Sequence, residues 1–160
     1  MASQLKQVLL PVFQLLRLDG RELDAATSYV MTLESGLSVE FKESPNDFLT
    51  MSCLLPVSEE RFADPETLAI LLQTNLLGLE HPPILTGALV EQKKVILWAR
   101  QPFQLLDSAA MGRLFERFTE QAQKMEQWLA VPLRAPEPKT AAAPADRPTR
   151  LSAGPAGARL

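Results

Sequence analysis

The sequence predicts an α+β fold: a helix, a three-strand antiparallel meander, a second helix, two strands and a last helix. Three observations carry that expectation. Apolar residues recur at helical spacing near the start and again beyond residue 107. Three runs between residues 27 and 56 alternate apolar with polar side chains. From Asp64 to Arg100 the chain reads as a Leu-rich helix, a Gly-marked stop and two apolar strands. With 160 residues, 46% of them hydrophobic, there is material for one domain core, placed at 1–130 and followed by a tail at 131–160.

Leu5, Val8, Leu9, Val12, Leu15 and Leu16 predict an amphipathic first helix over 3–17, ended by Asp19-Gly20. Pro11 lies inside it without an N–H to donate, so a kink or a frayed first turn is expected. Beyond Thr27 the period becomes two. Tyr29, Met31 and Leu33 share one face, and Ser35-Gly36 marks a turn before Leu37, Val39 and Phe41. Ser44-Pro45-Asn46-Asp47 is the next turn, and Leu49, Met51, Cys53 and Leu55 line the third strand, which Pro56 closes. Such a meander has one face covered and one partly wet. Pro102 stops the last strand, and Asp107 or Ser108 caps the final helix. Met111, Phe115, Phe118, Ala122, Met125 and Leu129 step by four and three along that helix, a narrow seam for one surface, with Arg113, Arg117, Glu120 and Lys124 outside.

The central stretch is the unusual one. Asp64-Pro65 supplies a cap and a proline at the first helical position, and Gly78 a stop. Between them Leu68, Ala69, Ile70, Leu71, Leu72, Leu76 and Leu77 cover most of the helix circumference. A helix apolar all round wants burial on more than one side. The strands at 84–90 and 95–99, joined by Glu91-Gln92-Lys93-Lys94, are likewise apolar on both faces. A chain this short has little to cover them twice, so a second molecule is expected to supply one cover, unless the helix is simply the core of a monomer.

Composition excludes several classes. Residues 1–130 hold 11 basic and 17 acidic side chains (net −6), and 131–160 hold 5 basic and 2 acidic (net +3). The acidic body repels phosphate backbones, which argues against nucleic-acid binding by the folded part. No apolar run approaches the ~18 residues of a membrane span. Arg17, Asp19 and Arg21 stand where a signal-peptide cleavage site after Val8–Leu16 would fall. A single cysteine rules out an internal disulfide and suits a reducing cytoplasm. The Pro, Ala, Arg and Thr of the tail cannot bury enough surface to offset ordering entropy, which predicts disorder there.

No set of residues points to catalysis. Cys53 lies mid-strand on an apolar face, where cysteine behaves as a small hydrophobe, and His81 precedes Pro82-Pro83 in a connection. One His and one Cys fall short of a zinc set. Glu59, Glu60, Asp64 and Glu66 lead into a helix N-terminus, where acidic residues are electrostatically favoured, so capping explains them better than acid–base work. The 7 glycines are scattered and form no phosphate loop. No cofactor or metal is expected.

The order of elements, with Leu18-Asp19-Gly20 after the first helix, Leu71-Leu72-Gln73-Thr74-Asn75 ("LLxxN") closing the central one and "VILWARQPFQLL" over 95–106 before Asp107, resembles the class I type III secretion chaperones. That family includes the chaperone of the translocated intimin receptor. The resemblance spans about residues 3–130. It implies a non-enzymatic α+β homodimer of the bacterial cytoplasm, working without ATP. It also implies, as partners, the N-terminal chaperone-binding segment of a secreted effector, held extended around the dimer, and an export-apparatus ATPase. By the same resemblance the dimer seam falls on Leu68, Leu72, Leu76, Leu85 and Leu89, and the effector grooves on Leu5, Val8, Val12 and Val39. The alternatives are a regulatory adaptor of the secretion system acting through the basic tail, and a cysteine-dependent enzyme using Cys53.

Overall fold

The computed structural model describes residues 3–20, 23–78 and 80–134; beyond residue 134, the expected tail lies outside them. The elements are α1 (Gln4–Leu15), β1 (Ser28–Thr32), β2 (Ser38–Glu43), β3 (Phe48–Leu55), α2 (Glu59–Ala63), α3 (Pro65–Leu77), β4 (Leu85–Leu89), β5 (Lys94–Pro102), a 3-10 turn (Phe103–Leu105) and α4 (Ser108–Ala130). The α+β order expected from the sequence is therefore present, with two small additions. Ser58 caps the short helix α2, where only a loop into α3 was expected, and the 3-10 turn separates β5 from α4.

All five strands form one antiparallel sheet in the order β1-β2-β3-β5-β4. The meander's alternation sets which side chains share a face. Met31, Val39, Cys53, Leu97 and Thr86 lie opposite one another across the five strands, and Phe41, Met51 and Ala99 form the next row. Helices α1 and α4 cover this face. The expected α4 seam is buried in full, joined by Leu114, and Phe115 stacks on Phe41 with ring centroids 6.2 Å apart. From α1, Leu5, Leu9, Val12 and Phe13 enter the same core. Truncating a fully buried aromatic such as Phe118 to Ala costs about 3–5 kcal/mol in such a setting.

The caps behave as their chemistry requires. Asp64 accepts from Thr67 N at 2.8 Å, and Asp107 accepts from Ala110 N at 2.7 Å. Helix α1 ends earlier than Asp19-Gly20. Leu18 N–H donates to Phe13 O and Arg17 N–H to Gln14 O, with Arg17 at φ 55, so a Schellman-type stop is built on arginine where glycine is usual. Pro11 sits within α1. Gly36 turns between β1 and β2 at φ 89, a backbone region where a side chain would be strained.

Helix α3 docks on the outer strand β4 through polar groups. Thr86 is buried, and its hydroxyl donates to Leu71 O at 2.7 Å. Asn75 accepts from Thr86 N at 2.7 Å and donates to Thr86 O at 3.1 Å, pairing with that residue's backbone much as a neighbouring strand would. Replacing Asn75 by Ala strands a buried N–H and C=O. The expected loss is about 1–3 kcal/mol of unfolding free energy, read from the urea midpoint at unchanged slope.

Candidate functional site

The central helix was expected to need burial on more than one side, and within one chain it receives burial on one only. Of α3, only Thr67 and Leu71 are buried. Leu72, Leu76 and Leu77 remain 69%, 81% and 69% exposed. Leu68, Leu72 and Leu76, four residues apart, form an outward stripe on the helix. Beside it a cleft of about 210 Å³ is lined by Leu68, Leu71, Leu72, Thr86, Gly87 and Ala88, an almost entirely apolar wall.

Leu85 and Leu89 are half-buried and alternate with Thr86 and Ala88 along β4, so they point to the sheet face away from α3. Leu85 is paired there with Trp98, and Gly87 with Ile96; a Cβ on Gly87 would come within 3.2 Å of the Ile96 side chain. The five residues expected at a dimer seam are thus gathered around one outer strand but divided between its two sides. Among the described residues no helix covers the second face: Leu54 and Val30 are exposed on it, and Ile96 and Trp98 half-exposed. Arg100 spans Trp98 at 5.6 Å and donates from Nε to Thr50 Oγ1 at 3.0 Å.

The expected effector positions need correction. Leu5, Val12 and Val39 have no accessible surface, because α1 and α4 use that face to close the core, and Val8 is half-buried. A ligand cannot reach the first three without opening the core. The exposed large apolar groups of α1 are Leu10 and Leu15, with Leu16 and Leu18 just beyond its end. Leu15 and Pro11 line a cleft of about 540 Å³ against Ala109, Gly112, Arg113 and Glu116 at the start of α4. The signal for them was in the sequence: Leu10 and Leu18 are apolar residues lying off the buried stripe of an amphipathic helix.

Arg117, expected to be a solvated outer residue of α4, has a structural task. It pairs with Glu80 at 2.6 Å and donates to His81 O and Pro82 O, tying the α3–β4 connection to α4. Cys53 is buried, and desolvation, with the nearby Glu126 charge adding, pushes its thiol up to about 11. His81 is exposed. Among the described residues no cluster of three or more His, Cys, Asp or Glu could hold a metal, and no helix is long and apolar enough to cross a membrane.

The apolar strip around β4 thus lies on an α+β scaffold of one five-stranded sheet closed on one face by helices. Residues 8–126 match the model of the Tir chaperone protein (CesT) family, and the chain belongs to that family of type III secretion chaperones. Among solved structures, a chain of the ExoT–SpcS complex from Pseudomonas aeruginosa superposes with TM-score 0.60 at 22% identity, covering 78% of this chain and 98% of that one. A chain of the HopA1–SchA chaperone–effector complex gives 0.61 at 14%, covering 78% and 94%. The complex of the Yersinia pestis type III secretion chaperone SycH with a fragment of YscM2 gives 0.60 at 12%, covering 75% and 98%. At these identities the likeness is one of fold. No curated protein matches at a significant level.

Because the Cys53 thiol is protonated at neutral pH, iodoacetamide should label it only after unfolding, with the modified peptide read by mass spectrometry. Folding holds that proton above the ordinary value of 9.0, so stability should fall as pH rises from about 9 towards 11 and be indifferent to Cys53 below.

Proposed function

We propose that this protein is a type III secretion chaperone that binds the N-terminal chaperone-binding segment of a secreted effector, keeping it non-globular and soluble for export. The carrying observation is the exposed Leu72–Leu76 stripe in a chain of the CesT family. Unspent apolar surface of this kind, in a protein with neither a reactive thiol nor a candidate metal cluster among its described residues, is what a binding protein carries. Catalysis has no part in the reading. The chaperone–effector complex among its structural neighbours supports an effector as partner.

In this reading two copies meet through Leu68, Leu72, Leu76, Leu85 and Leu89. The helix stripe and the far side of β4 are both served when a partner wraps around that strand. Burying Leu72 and Leu76 alone would contribute roughly 1.5–3 kcal/mol per side chain before the costs of association. The dimer then offers every groove twice, and a client engaging several gains from effective concentration. The client's apolar side chains enter the exposed clefts, including that of Leu15 and Pro11, while its backbone adds to a sheet edge. The acidic body keeps the complex soluble and favours basic client segments. The working compartment is the bacterial cytoplasm, the domain is 1–130, and an export-apparatus ATPase receives the complex.

Leu72→Asp should convert the dimer to a folded monomer, since that side chain is exposed in one copy; light scattering coupled to size exclusion reads the mass, and an unchanged mass removes the seam. Leu15→Asp should leave dimer and fold intact and weaken client binding about tenfold by calorimetry. A similar substitution at buried Val39 should instead unfold the protein.

A further inference from the structure

A cleft of about 340 Å³ lies between the start of α3 and the chain leaving α4, away from the apolar strip of β4. Arg61 of α2 lines it and is only 6% exposed. Its guanidinium lies 4.6 Å above the Trp128 ring, and its Nε–H is buried with no acceptor. The two carboxylates nearby do not fill that role. Asp64 is occupied by Thr67 N at 2.8 Å and Thr67 Oγ1 at 2.7 Å, and these bonds, with a smaller contribution from the nearby Arg61 charge, hold its carboxyl below the ordinary range. Glu66 lines the cleft and forms no ion pair with Arg61. A buried guanidinium stacked on an indole with its Nε–H unpaired is a costly arrangement unless a ligand at the same group offsets it.

We infer that this cleft binds a carboxylate carried on a short aliphatic stem, the side chain of a glutamate in a polypeptide ligand. The carboxylate accepts from the Arg61 guanidinium, whose face the Trp128 ring already supports. Ile70, Trp128 and Leu133 form the apolar wall for the methylenes, and Arg134 at the rim adds a second positive charge. Asp64 and Glu66 set the limit on the other side: two acidic groups in the lining disfavour a dianion such as phosphate and leave room for one negative charge. This site lies outside the client-binding reading given above, and its ligand can be tested without any effector.

The test titrates N-acetylglutamate methylamide into the full chain while following the two tryptophan indole N–H resonances by NMR. Trp98, on the other side of the sheet, is the internal control. The expected result is a saturable shift of Trp128 alone with a midpoint in the millimolar range. The uncharged glutamine analogue and potassium phosphate should each bind at least about tenfold more weakly, the discount for losing a charge-assisted bond or adding a repelled charge. Arg61→Met, which keeps the buried stem, should abolish the shift. Arg61→Lys should retain a weaker one, which guards against a folding defect in the first variant. No saturable shift, equal shifts with the glutamine analogue, or a shift that survives in Arg61→Met would each overturn the assignment.

Discussion

The clasp between Asn75 and the backbone of Thr86 is the contact on which the rest of the surface depends. An outer strand ordinarily presents unpaired N–H and C=O groups, and β4 has those of Thr86 satisfied by a side chain from the helix that precedes it. The same contact fixes the rotation of α3. With Leu71 turned inward and its carbonyl accepting from Thr86, the residues one position and five positions later must point out. Leu72 and Leu76 are exposed for that reason, and not because the helix packs loosely.

The protein therefore keeps two hydrophobic inventories apart. One is spent: α1 and α4 close over Val39, Phe41, Met51, Cys53 and Leu97 and leave no ligand-accessible surface at Leu5 or Val12. The other is unspent and clusters around β4 and the outer ends of α1. A binding protein needs such a division, since residues used for the core cannot also be offered to a partner. The Arg117 anchor serves the same end, holding the connection between α3 and β4 against α4 through two carbonyls and Glu80.

Charged groups follow local rules more than long-range ones. Glu120 and Lys124 pair one helical turn apart on the exposed side of α4, and Lys93 in the β4–β5 turn meets Glu59 at the start of α2 at 2.7 Å; both pairs are solvent-exposed and add little stability. Arg61 differs because it is buried against Trp128 with its Nε–H unpaired, although Asp64 and Glu66 line the same cleft.

Element type was legible in the sequence wherever period and punctuation agreed. The alternation of the meander, the Asp64-Pro65 start and the 4-3 seam of α4 each specify their structure locally, through pleat, cap and helical pitch. The Arg17 stop escaped because the hydrogen bonds that define it run to Phe13 and Gln14, while arginine carries no turn signal. Burial was harder to read. Leu5 and Leu10 are both leucines on one helix, and hydrophobicity alone does not say which meets the sheet or whether a buried stripe is core or groove. By itself the sequence determined the order of elements and an apolar excess around α3 and β4, because those follow from spacing and composition. Only the tertiary structure decided which leucines were consumed and which left over, because that choice depends on how α1, α3 and α4 are rotated against one shared sheet.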